Sequence, residues 1–92
     1  AVYSAGKAAV IGLTRWLATY WAKVGIRANA IIPGGVEDRQ NDAFKRAYGN
    51  RVPLGRMANK SEIVGAALFL ASDASSYVTG QCIFVDGGLS AW

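Results

Sequence analysis

The sequence predicts an α/β fold, the C-terminal part of a doubly wound parallel sheet, and three observations lead there. The predicted elements run helix, strand, long polar connection, helix, strand. Two strands joined through a helix normally form a right-handed parallel unit. Such a pair does not stand alone, because parallel sheets are covered on both faces. The composition agrees: 52% of the 92 residues are hydrophobic and 17% are charged, against about 25% charged in an average domain. A chain this short hides only roughly 60–65% of its unfolded surface. So much apolar surface calls for a cover, supplied by partner chains or by the rest of a larger single domain.

Residues 4–24 read as one long helix, with Ala9, Leu13, Trp16, Leu17, Tyr20 and Val24 at helical spacing. A second face carries Val10, Thr14, Ala18 and Trp21, and Lys7, Arg15 and Lys23 are the only charges. More than one face must therefore be covered. Gly25 suits the left-handed position that ends helices. "IRANAII", residues 26–32, is short, apolar and bounded by Gly25 and Pro33, as a buried parallel strand should be. Pro33-Gly34-Gly35 turns the chain out of the sheet, since Pro lacks a donor and Gly accepts unusual backbone angles.

Residues 37–58 are polar and irregular, with a short helix predicted near 41–48. Connections of that length in compact domains often serve as lids or binding loops. Asn59 and Glu62 form a capping-box pair opening a helix that runs to about residue 72 on Ile63, Ala66, Ala67, Leu70 and Ala71. "SDASSYVTG" is a loop, residues 81–85 the second strand, and Asp86-Gly87-Gly88 a turn.

Several function classes drop out. The formal charge is +4, but the basic residues are scattered and form no stripe with interleaved aromatics, so no nucleic-acid partner is expected. The absence of His removes Ser-His-Asp and Cys-His catalysis and His-ligated zinc. Cys82 is the only cysteine; it can form neither an intrachain disulfide nor a cysteine-based zinc site, and no metal is expected. No apolar run reaches the ~18 residues of a membrane span, and no signal-peptide pattern is present. The expectation is a soluble, cytoplasmic protein without a membrane partner.

Chemistry points to "AVYSAGK" at residues 1–7. Tyr3 and Lys7 are four apart, so on a helix they share a face. A free phenol is a poor acid–base group at neutral pH, but a neighbouring ammonium stabilises the phenolate. Such a pair can protonate a forming alkoxide or take the proton from an alcohol. The alternative is a helix-start tyrosine beside a solvated lysine.

Together, "YSAGKAAVIGLTRWLA", "GIRANAIIPGGV" and "EIVGAALFLASDASSYVTGQCIFVDGG" resemble the short-chain dehydrogenase/reductase family over essentially the whole chain. The resemblance implies a Rossmann-type sheet and an NAD- or NADP-dependent oxidoreductase acting on a small-molecule alcohol or carbonyl. Tyr3 then matches the catalytic acid/base. Lys7 matches the lysine that holds the nicotinamide ribose hydroxyls and favours the phenolate. Pro33, Gly34, Gly35 and Val36 match the segment packed on the nicotinamide, with the Val36 backbone meeting the carboxamide and Gly34 allowing close approach. Residues 37–58 match the substrate lid, and Asp86-Gly87-Gly88 a structural turn.

The pattern also departs from the family. Asp38 stands where the family often has a cofactor-binding Thr, which leaves Gln40 or Asn41 as replacements, and Gly6 stands where a small residue such as Ser is usual. The family's Gly-rich turn, the residue choosing NAD or NADP, the active-site Asn and the Ser lie upstream of the Tyr, so the N-terminal cofactor-binding half is expected to be absent. "LATYWAKVGIRANA", "VPLGRMA" and "DGGLSAW" further resemble a bacterial subgroup of surface-polysaccharide and flagellin-sugar pathways, implying a sugar or nucleotide-sugar substrate. Family members pair through the helix matching residues 4–24, so a homodimer or homotetramer is implied. Trp16, Tyr20, Trp21 and Trp92 are candidates for such contacts or for the subunit's own packing. The competing reading is a truncated, non-catalytic remnant that serves only self-association.

Overall fold

The structure, a computed structural model, describes all residues from Ala1 to Trp92. Helix α1 spans Val2–Tyr20 and continues into a tighter 3-10 turn, Ala22–Val24. The expected helix thus starts two residues earlier and breaks before its predicted end. Gly25 explains the exit: it adopts the left-handed conformation at φ 84° and its N–H bonds Ala22 O at 3.0 Å, a bond that tightens the last turn.

Strand β1 is Ala30–Pro33, shorter than the predicted 26–32 and shifted by one residue at its end. Residues 27–29 are spent elsewhere. Arg27 donates to Leu70 O at 2.9 Å and Val78 O at 3.0 Å, Asn29 Nδ2 to Val78 O at 2.9 Å, and Ala28 N–H to Thr79 Oγ1 at 3.1 Å. These contacts tie the approach to β1 to the loop after the second long helix instead of to a sheet ladder.

Helix α2 is Asp42–Gly49, opened by Asn41, whose Oδ1 accepts from Phe44 N–H at 2.8 Å. Helix α3 is Lys60–Ala71 and carries the expected capping box, with Glu62 Oε1 accepting from Asn59 N–H at 2.8 Å. Strand β2, Cys82–Val85, lies parallel to β1 with Ala30 opposite Cys82 and Pro33 opposite Val85. Pro33 fits inside this ladder because of parity. The N–H groups of Ala30 and Gly34 bond Gln81 O and Val85 O, so the odd positions between them face the other edge, where the missing donor is not needed.

Only six residues are buried, among them Thr14 and Ala18 on α1 and Val52 and Met57 at the end of the long connection. The last third of residues 37–58, which contains Val52 and Met57, forms a packed corner over the C-terminal ends of the strands. The apolar surface anticipated from composition is open elsewhere, as Leu13, Trp16, Tyr20, Leu68 and Phe84 are each more than half exposed.

Candidate active site

The first turn of α1 holds Tyr3 and Lys7 on one face. Lys7 Nζ lies 5.4 Å from the centroid of the Tyr3 ring, a cation–π position, and Tyr3 is 75% exposed. Helix geometry alone brings the two together.

The second cluster is the turn after β1. Gly34 N–H bonds Val85 O at 3.0 Å, and Gly35 N–H donates to the Tyr48 hydroxyl. Gly35 O accepts from Ala58 N–H at 2.9 Å and Ala58 O from Glu37 N–H at 2.8 Å, so Val36 bridges to Ala58 as a fragment of parallel ladder. Val36 O accepts from Gln40 Nε2 at 3.2 Å, while Val36 N–H donates to no group of the chain. Neither Gly34 nor Gly35 has a positive φ, so their backbone angles do not require glycine. Space does: a Cβ on Gly34 would sit 2.9 Å from Asp86 Cα, and one on Gly35 2.5–2.9 Å from three ring atoms of Tyr48.

Asp38 turns away from this turn. Its carboxylate pairs with Lys60 at 3.0 Å and its N–H donates to Gln40 Oε1 at 2.8 Å. Gln40, one of the two replacements weighed for the missing Thr, is instead held against the backbone of the turn, and Asn41 is occupied as the α2 cap.

The Asp86-Gly87-Gly88 turn closes the same end of the sheet. Asp86 accepts from Gly88 N–H and Ser90 N–H, each at 3.0 Å. The Ser90 side chain, then these amides, hold its carboxyl below the usual range. Gly87 and Gly88 have φ of 63° and 92°, so both need glycine for their backbone angles. A Cβ on Gly87 would also meet Val52 Cγ1 at 2.7 Å. Nearby, Arg56 forks onto Glu62 at 2.7 and 2.9 Å, a bidentate pairing of the stronger kind. The Glu62 pKa falls to about 2, first through Arg56 and then through the Asn59 N–H. A cleft of about 200 Å³ opens between Tyr48, Leu54, Arg56 and the Asp86–Gly88 turn; Tyr3 and Lys7 do not line it.

The structure thus assembles the tyrosine–lysine pair and, separately, the Pro33–Val36 turn, and no hydrogen bond joins the two. Sequence reasoning missed Tyr48 and the Val52–Met57 corner. Phe44 and Tyr48, stacked at 6.5 Å on one face of α2, were the available signal: an aromatic pair at helical spacing inside a polar connection has to cover something.

The comparisons with known proteins extend this picture. The family model described as Enoyl-(Acyl carrier protein) reductase matches residues 1–90. A galactitol 2-dehydrogenase (L-tagatose-forming) of Cereibacter sphaeroides is 46% identical over 98% of this chain and 38% of its own length. Among solved structures, a short-chain dehydrogenase from Leptospira borgpetersenii with bound NAD+ superposes with a TM-score of 0.89 at 47% identity, covering 97% of this chain and 35% of that one. A gluconate 5-dehydrogenase from Burkholderia cenocepacia in complex with NADP and tartrate gives 0.88 at 43%, covering 98% and 38%. The chain therefore spans little more than a third of the relatives it matches, with a Rossmann-type arrangement in the part they share.

Proposed function

The chain belongs to the short-chain dehydrogenase/reductase family, and from that premise we propose that it carries the acid–base pair and part of the nicotinamide seat of an NAD- or NADP-dependent oxidoreductase. The reaction interconverts a secondary or primary alcohol with its ketone or aldehyde. Tyr3 gives its phenolic proton to the carbonyl oxygen during reduction and takes a proton from the alcohol in the reverse direction. Lys7, one turn on, presents its ammonium on the same face and would hold the ribose hydroxyls. The dinucleotide, when bound, supplies or accepts the hydride. Pro33, Gly34, Gly35 and Val36 form its seat, and the Val36 N–H, which no group of the chain occupies, suits a carboxamide oxygen. A sugar, polyol or nucleotide-sugar is the substrate class we favour, since relatives bear galactitol and gluconate in their names.

The observation that carries this reading is Lys7 Nζ standing over the Tyr3 ring on one helix turn, in a chain of this family. Replacing Tyr3 by Phe in the full-length protein removes the transferable proton and leaves the ring. Turnover should fall by about 10²–10⁴-fold, the usual worth of a positioned acid–base group, with dinucleotide affinity nearly unchanged. Full activity in that variant would end the role of Tyr3.

A second reading rests on α1. Trp16 stacks on Tyr20 at 4.7 Å and Tyr20 meets Trp21 edge-on at 4.7 Å, all three exposed. Aromatic surface of this kind suits an interface core, so the chain assembles as a homodimer or homotetramer through this helix. Sedimentation of the full-length protein should give a multiple of the single-chain mass, and a monomer at micromolar concentration would remove it.

A further inference from the structure

We propose that Tyr48 is the positioning residue of the cofactor-facing turn: it sets the backbone of Gly34–Val36 and makes that turn one mechanical unit with α2. The inference rests on the reading that the turn faces a nicotinamide, and it adds a residue outside the matched motifs.

Three observations converge on this side chain. The Tyr48 hydroxyl accepts the Gly35 N–H. Its ring lies flat on Gly35, where a Cβ would come within 2.5, 2.7 and 2.9 Å of three ring carbons. Its hydroxyl is also 3.4 Å from where a Gly34 Cβ would stand. Since neither glycine has a positive φ, the Gly-Gly pair is explained by the ring above it and the Asp86 turn beneath it. The close approach that glycine allows here is made by Tyr48 and Asp86.

Tyr48 is itself held. Asn41 caps the start of α2, Phe44 stacks one turn before Tyr48, and Gly49 is buried with the Gly55 carbonyl 2.7 Å from its Cβ position. The turn is also bonded to Ala58. The turn is therefore held on one side by Val85 and Asp86 at the end of β2 and on the other by Tyr48 and Ala58 of the 37–58 connection. What they leave unpaired is the Val36 N–H, the group the seat would present to a ligand. A displacement of α2 must move the Gly35 N–H with it, and the orientation of Val36 follows.

The test uses the full-length protein with Tyr48→Phe, Tyr48→Ala, Gly35→Ala and the double variant Gly35→Ala/Tyr48→Ala, read by dinucleotide titration and by amide hydrogen exchange. Tyr48→Phe keeps the ring and the fold but leaves the Gly35 N–H without its acceptor. Exchange at residues 35–37 should accelerate, and the dissociation constant for NADH or NADPH should rise about 3- to 10-fold, the scale of one hydrogen bond. Gly35→Ala drives a methyl into the ring and should weaken binding at least as much. Removing the ring in the double variant should restore part of that loss, a rescue that two independent structural lesions would not give. Unchanged exchange and affinity in Tyr48→Phe, or purely additive damage in the double variant, overturns the proposal. Wild-type protein that binds neither dinucleotide overturns the nicotinamide reading instead; the exchange rates in Tyr48→Phe then decide on their own whether Tyr48 holds the turn.

Discussion

The first turn of α1 and the turn after β1 are two halves of one proposed site, and the chain treats them very differently. Tyr3 and Lys7 are held by helix geometry and one cation–π contact, an interaction worth about 0.5–1 kcal/mol at an exposed position. The Pro33–Val36 turn is fixed by backbone bonds to Val85 and Ala58, by the Tyr48 hydroxyl and by two glycines against which neighbours pack closely. Each such hydrogen bond contributes about 1 kcal/mol net, and the packing adds to it. The lesson is a division of labour. The frame that would receive a dinucleotide is determined by contacts within these residues. The group that would transfer the proton sits exposed on a helix whose apolar faces are open, and its final orientation depends on whatever covers them.

The sharpest way to break this contrast is at the closed end of the sheet. Gly87→Ala places a methyl at a left-handed φ of 63° and 2.7 Å from Val52 Cγ1. The backbone conformation costs an L-residue about 1–2 kcal/mol, and overpacking typically costs about 1–3 kcal/mol. We expect a loss of about 2–4 kcal/mol in the stability of the full-length protein, measured by denaturant unfolding. A loss below about 1 kcal/mol would mean that the corner formed by Val52, Pro53 and the Asp86–Gly88 turn yields easily, and the claim that this end is over-determined would fail.

The same contrast explains what the sequence could disclose. Features set by near neighbours were readable: the Tyr3–Lys7 spacing, the helix exit at Gly25, the Asp42–Gly49 helix to within a residue and the Asn59–Glu62 cap; the parallel strand pair, 52 residues apart, was readable only through the right-handed strand–helix–strand rule. Features set by distant partners were not. The strand expected from residue 26 begins at Ala30 because Arg27 and Asn29 are claimed by carbonyls 43–51 residues away. The polar look of 37–58 hid the burial of Val52 and Met57; Val52 packs against a glycine turn far along the chain. Gly34 and Gly35 were legible as special positions, but the reasons read there were unusual backbone angles and, at Gly34, a cofactor's close approach; neither has a positive φ, and their close neighbours are Asp86 and Tyr48. Asp38 was legible as a departure, and its partner Lys60, 22 residues on, was not.

A smaller effect sharpens the comparison from the side of α3, whose start supports the Val36–Ala58 bridge. Glu62 accepts from both terminal nitrogens of Arg56 and from the Asn59 N–H, and its pKa drops from 4.5 to about 2. A carboxyl whose folded pKa is depressed contributes stability that is fully present above its unfolded pKa and is lost as pH falls toward the folded value. The contribution of Glu62 should therefore be intact above about pH 4.5 and fade between there and about pH 2. Glu62→Gln retains an acceptor for the Asn59 N–H but cannot ionise, so its stability difference from the wild type should be constant above about pH 5 and shrink on acidification. Both groups are solvent-exposed, and screening keeps the effect below that of Gly87→Ala. Amide exchange at residues 59–63 across that pH range gives the readout. A wild-type-minus-variant difference that stays flat through the acid limb would show that the Arg56–Glu62 fork does not stabilise the start of α3, and the support of the turn would then rest on Tyr48 and on the backbone bonds to Val85 and Ala58.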